Sequence, residues 1–110
     1  MDKKYKKMVY ICSPYAGDIE KNTERARKYS RWAVECGCIP IAPHLLFPQF
    51  MSEETEREEA LFNGIVLLGK CDEVWVCGDT ISAGMKAEIE KAERFRKRIR
   101  YVSREEALCN

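Results

Sequence analysis

The stretch Cys71-Asp-Glu-Val-Trp-Val-Cys-Gly-Asp-Thr-Ile-Ser-Ala-Gly-Met-Lys-Ala-Glu-Ile-Glu-Lys-Ala92 decides the fold. Val74, Trp75, Val76 and Cys77 form a short apolar run of strand formers, closed by Gly78. Asp79 and Thr80 break the pattern. Ser82 is a good N-cap, and Met85, Ile89 and Ala92 share one helical face. A strand that enters a helix through a short turn is half of a βαβ unit, and open α/β sheets place ligands at the carboxyl ends of such strands. Ser82, the free N–H groups of Ala83 and Gly84, and the carboxylate of Glu88 gather there.

Working outward, residues 53–70 read as the helix before this strand. The acidic start at Glu53, Glu54 and Glu56 suits the helix dipole, and Leu61, Ile65 and Leu68 form the inner stripe. Residues 8–12 read as a buried first strand, followed by turn residues Ser13 to Asp18. A helix over 22–36, with Asn22 as a cap, ends at Gly37 in the C′ position. Residues 39–42 are a short strand, placed at the sheet edge because Pro40 lacks a donor. Pro43 to Phe50 is expected to be an apolar loop. Downstream, a helix over 83–97 precedes a strand at 99–102, and 103–109 form a short helix capped by Ser103. The alternation predicts one domain over residues 1–110. Its expected fold is a flavodoxin-like, Rossmann-like α/β three-layer sandwich, with a parallel sheet of about four strands in the order 2-1-3-4. The crevice then lies between strands one and three, under loops 13–18 and 78–84.

The chain has 110 residues and is 45% hydrophobic, enough for a core. Lys+Arg 19 against Asp+Glu 18 gives a net charge of +1, a balance that does not suggest a nucleic-acid partner. The basic run Arg94 to Arg100 is balanced by the acidic residues 53–59. No apolar run approaches a membrane span, and the first seven residues lack the apolar core of a signal peptide, so a cytoplasmic protein with reduced thiols is expected. Cys36-Gly-Cys38 is not a C-x-x-C pair and His44 is the only histidine, so no metal site is expected.

From the residues alone, the 78–88 segment offers a helix N-terminus for an anion and a carboxylate a turn and a half further on. That suits a phosphorylated ligand whose reacting carbon lies several ångströms from its phosphate. No G-x-G-x-x-G, Walker A or Ser-His-Asp pattern is present.

Tyr10-Ile-Cys-Ser-Pro-Tyr15, Asp72-Glu-Val-Trp-Val-Cys-Gly78 and Ser82-Ala-Gly-Met-Lys-Ala-Glu88 resemble the nucleoside 2-deoxyribosyltransferase superfamily. The resemblance is nearest to its 2′-deoxynucleoside 5′-phosphate N-hydrolases and to related small phage and bacterial domains, and spans about residues 8–102. It implies that Glu88 is the nucleophile, attacking C1′ to form a glycosyl ester that water or a second base resolves. Tyr10 is implied to hold that glutamate. Ser82, six positions before it, is implied to contact a 5′-phosphate, since the deoxyribosyltransferases carry an aspartate there. Gly84 would let the backbone approach the ligand, and Ser13 and Gly17 would add phosphate contacts. No cofactor is implied; the partner is a small nucleotide, and a homodimer is expected from the relatives and from the apolar 45–50 loop. The family aspartate that assists base departure falls near Asn63-Gly64 here. Asn63 can bind but cannot act as an acid, so either Asp79 or another group takes over, or the protein binds without efficient turnover; the loop of His44 could reach the ligand.

Each residue also has a plainer reading. Glu88 can be a solvated helix residue beside Lys86 or Lys91, Tyr10 a core aromatic, Asp79 a turn residue, and His44 a loop residue bonded to backbone. Trp32, Phe47 and Phe50 read as packing residues. A non-catalytic nucleotide-binding module stays open beside the N-glycosidase reading, as does an assembly protein using loop 45–50.

Overall fold

At the centre of the computed structural model, which describes residues 5–108, two parallel strands lie side by side. These are β1 (Met8–Cys12) and β3 (Glu73–Cys77), both expected at those positions. β2 (Ile39–Ile41) pairs with β1 at one edge and β4 (Arg98–Val102) with β3 at the other. The order β2-β1-β3-β4 and the all-parallel ladder agree with the expectation. Val9, Tyr10, Ile11 and Cys12 are fully buried, as the centre of a parallel sheet requires.

Side chains alternate across the strands, so the sheet feeds two separate cores. On one face Val9, Ile11, Trp75 and Cys77 pack with Tyr29 and Ala33 of α1 (Ile19–Glu35) and Ala107 of α5 (Arg104–Leu108). On the other, Tyr10, Cys12, Val74 and Val76 pack with Leu68 of α3 (Arg57–Lys70) and with Met85 and Ala92 of α4 (Ala83–Arg94). These are the three layers. No helix among the described residues is long and apolar enough to cross a membrane.

Several boundaries differ from expectation. α1 begins at Ile19, because Asp18 caps it by accepting from the Lys21 N–H at 3.1 Å. Asn22 instead donates to the Tyr15 and Ala16 carbonyls, holding the β1–α1 loop. α3 begins at Arg57, not residue 53. Ser52 and Glu56 close a turn on each other's backbone: the Ser52 N–H donates to Glu56 Oε1 at 2.8 Å, and the Glu56 N–H to the Ser52 carbonyl at 2.9 Å. Leu61 is 59% exposed, and the α3 residues that face inward are Gly64 and Leu68. The Pro43 to Phe50 stretch is not a loop: it forms α2 (Pro43–Leu46) and a 3-10 turn (Phe47–Gln49). Pro43 stands at the start, where its missing N–H costs nothing. Phe50 is exposed and meets the Phe47 ring edge-on at 6.1 Å between centroids, so its packing is local and not part of the core. α4 stops at Arg94. Arg96 takes φ 57°, and the Lys97 N–H closes on the Ala92 carbonyl at 2.9 Å, a Schellman end that normally uses glycine. Ser103 caps α5 as expected, accepting from the Glu106 N–H; residue 109 lies outside the described residues.

Candidate functional site

Helix α4 starts where Ser82 Oγ accepts the Met85 N–H at 3.3 Å. Met85 and Ala92 then anchor its inner face, and Glu88, one turn beyond Met85, is carried round to the same side. Its carboxylate turns inward onto β1. The Tyr10 hydroxyl donates to Oε2, and the Cys12 thiol donates to Oε1 at 3.4 Å. Tyr10 and Cys12 are two residues apart, so a single strand face holds both oxygens. Glu88 is therefore not a solvated residue paired with Lys86 or Lys91.

Burial pushes the Glu88 carboxyl above its ordinary range, while the bonds from Tyr10 and Cys12 oppose that rise. The Tyr10 phenol and the Cys12 thiol are pushed well up, first by burial and then by the charge of Glu88. Both stay protonated at neutral pH and act as donors. The site is thus a desolvated carboxylate held between two neutral donors at the carboxyl end of β1.

Beside it, Ser13, almost fully buried, meets His44 Nε2 at 2.9 Å. His44 lies on α2, and its partner is this side chain rather than backbone. Burial lowers its pKa to about 4, so the ring is neutral near pH 7. Gly64 brings α3 close: a Cβ there would sit 3.6 Å from the Tyr10 hydroxyl and 3.8 Å from Pro43 Cβ. Asn63 is half-buried next to it.

Ser82 and Gly84 are exposed at the start of α4, and a Cβ on Gly84 would meet only Ser82 Oγ at 4.0 Å, so no packing demands glycine. Gly17 lies in the exposed β1–α1 loop at φ 98°, where the turn itself requires glycine. Asp79 is not brought to Glu88. Its Oδ1 accepts the Arg104 N–H at 3.2 Å, and it lines a cavity with Tyr29 on the α1/α5 side of the sheet. The residue that sequence reading missed is Cys12, taken for a small apolar strand residue. The period of two from Tyr10 was the signal that could have found it. Among the described residues, no cluster of three or more His, Cys, Asp or Glu could hold a metal ion.

A family model described as "Domain of unknown function (DUF7768)" matches residues 7–102, and the chain belongs to that family. No curated protein matches it in sequence. Among solved structures, it is similar to the 2-deoxyribosyltransferase of Bacillus psychrosaccharolyticus, with TM-score 0.68 and 19% identity over 87% of this chain and 72% of that one. It is also similar to a 2-deoxyribosyltransferase from Leishmania mexicana, with TM-score 0.64 and 15% identity over 88% of this chain and 64% of that one. A third is the CMP N-glycosidase BcmB of Clostridium botulinum, with TM-score 0.55 and 20% identity over 88% and 71%. The chain thus has the nucleoside 2-deoxyribosyltransferase fold.

Proposed function

We propose that this DUF7768 member is an N-glycosidase that cleaves or transfers the deoxyribosyl–base bond of a 2′-deoxynucleoside 5′-monophosphate, with Glu88 as nucleophile. The observation that carries the reading is the inward-turned Glu88 carboxylate, gripped by Tyr10 and Cys12. A solvated helix residue has no need of such a setting, and desolvation keeps a carboxylate reactive toward a cationic carbon. Oε1, held only by a thiol, is the oxygen freer to attack C1′. The C–N bond breaks as the C1′–O bond forms, and the base leaves with the electron pair. Water or a second base then attacks C1′ and releases Glu88. The similarity in fold to deoxyribosyltransferases and a CMP N-glycosidase supports the reaction class.

Ser82 is the proposed phosphate contact. Its oxygen accepts the Met85 N–H as the cap, and Ser82, Ala83 and Gly84 are exposed at the start of α4, where a helix leaves its first N–H groups free for an anion. The open surroundings of Gly84 support close backbone approach. Ser13, Gly17, Asn63 and His44 complete the proposed binding set; the engagement of Asp79 with α5 counts against its proposed part in base departure. Chromatography of free base from each deoxynucleoside monophosphate tests the reading. Release by the wild type and none by Glu88→Ala is expected; no release above that control for any of them removes it.

A second reading, a nucleotide-binding module without turnover, is favoured by the proton supply. The leaving base needs a proton, yet Asn63 is not an acid, His44 is neutral and Asp79 faces the other layer. Calorimetric binding without base release would select it.

The reading also includes a homodimer in the cytoplasm. Leu61, Phe62 and Val66 on α3, with Leu46 and Phe50, are exposed apolar residues that a second copy could cover. The described cysteines are free thiols, which suits a reducing compartment. Light scattering that finds a strict monomer removes the dimer.

A further inference from the structure

We infer that the cavity between the β1–α1 and β3–α4 loops, on the α1/α5 side, is a second anion site that takes a phosphoryl-type oxyanion on Arg25 and Arg104. It lies across the sheet from Glu88 and does not depend on the reaction assigned above. Its volume is about 120 Å³, room for one phosphate. Asn22, Arg25, Tyr29, Thr80, Asp79 and Arg104 supply the polar lining, with Gly78 at its floor.

The charge is left unspent. Among the described residues neither Arg25 nor Arg104 has a carboxylate within ion-pair distance. Asp79 is the one acid in the lining, and its Oδ1 is turned to the Arg104 backbone N–H. Two guanidiniums against one carboxylate leave a net positive hollow, and guanidinium forks match phosphate oxygens. Tyr29 adds a neutral donor. Burial raises its phenol pKa first of all, despite the opposing pull of both arginines, so the O–H stays protonated. Gly78 has φ 107°, and a Cβ there would press to 3.3 Å from the Tyr29 hydroxyl, so glycine keeps the floor open.

The anion can be inorganic phosphate or the phosphate of a nucleotide, and one experiment separates them. Inorganic phosphate is titrated into the full chain at fixed ionic strength, followed by proton–nitrogen correlation spectra, with chloride as the control. Saturable shifts of the Gly78, Thr80 and Arg104 amides are expected. In Arg25→Gln and Arg104→Gln the dissociation constant rises about ten- to hundredfold. The dispersed spectrum of each variant reports that it is folded, and Arg25→Lys recovers part of the loss. Absence of saturable shifts at these amides, or an unchanged dissociation constant in both glutamine variants, overturns the site. Displacement of bound phosphate by a deoxynucleoside monophosphate supports the site with the nucleotide as source. Simultaneous binding of both supports it with free phosphate as source.

Discussion

Strand β1 sends alternate side chains into two layers of different character. Val9 and Ile11 enter a layer closed by Trp75, Tyr29 and Ala33, where burial is a matter of shape and apolar area. Tyr10 and Cys12 enter a layer of equal burial that contains the carboxylate of Glu88. The first layer stabilises the chain. The second accepts the cost of a desolvated acid, and such a cost is retained where chemistry needs it. A tyrosine illustrates the difference on each side: Tyr29 is buried beside a glycine floor, whereas Tyr10 is buried with its hydroxyl committed to an acid.

The comparison breaks first at Glu88. Glu88→Gln is expected to lower base release by more than about a thousandfold while leaving the fold intact. Its stability should also show the carboxyl. The folded chain raises this pKa above the ordinary 4.5, so it retains a proton that the unfolded chain releases. The stability tied to that proton is full below pH 4.5 and is lost as pH rises through the folded pKa. Melting curves should therefore show Glu88→Gln gaining on the wild type between acidic and neutral pH. A constant difference would mean that the acid is not strained.

On the opposite face, Trp75→Ala is expected to cost about 3–5 kcal/mol in denaturant unfolding. The Trp75 ring packs against Trp32 at 5.4 Å between centroids, the two rings tilted by 56°, and the Arg100 guanidinium lies 4.8 Å from its centroid. The folded fraction should keep its turnover rate. A loss of turnover beyond the loss of folded protein would mean that the two layers are not separable.

Tyr10→Phe removes the stronger of the two donors. Base release should fall about ten- to hundredfold. The acid limb of the rate profile should move to higher pH, because a bond that lowers the Glu88 pKa is gone. A slower enzyme with an unmoved acid limb would make Tyr10 a packing residue only. The smallest effect belongs to Cys12→Ala, whose thiol is a weak donor. Less than about a tenfold loss is expected, with a shift of the acid limb in the same direction and smaller than for Tyr10→Phe.

Much of this was legible from residues. Strands 8–12 and 73–77 are short apolar runs, and their length, their β-branched and aromatic content and the turn chemistry that bounds them decide for strand over buried helix. The start of α3 was not, because acidic residues 53–56 mimic a dipole-favoured first turn while Ser52 and Glu56 close a turn of their own. Leu61 was misplaced because the inward residue is Gly64, and hydrophobic periodicity cannot register a residue without a side chain. α2 is shorter than any period that could reveal it. Within the site, the Glu88 carboxylate was placed from the residues, while its role as nucleophile and that of Tyr10 came from a family resemblance. Cys12 stayed hidden because a thiol in an apolar run reads as packing until a carboxylate is seen against it. Asp79 was placed in the right loop, but a backbone N–H of α5 claims its side chain.

The central claim is that the Glu88 oxygen bonds to the anomeric carbon. The direct measurement is acid quenching during turnover of a deoxynucleoside monophosphate, followed by mass spectrometry of the peptide containing Glu88. A deoxyribosyl-phosphate ester on Glu88, absent from Glu88→Gln, is the predicted result. Base release by Glu88→Gln at the wild-type rate, or an ester on another residue, contradicts it.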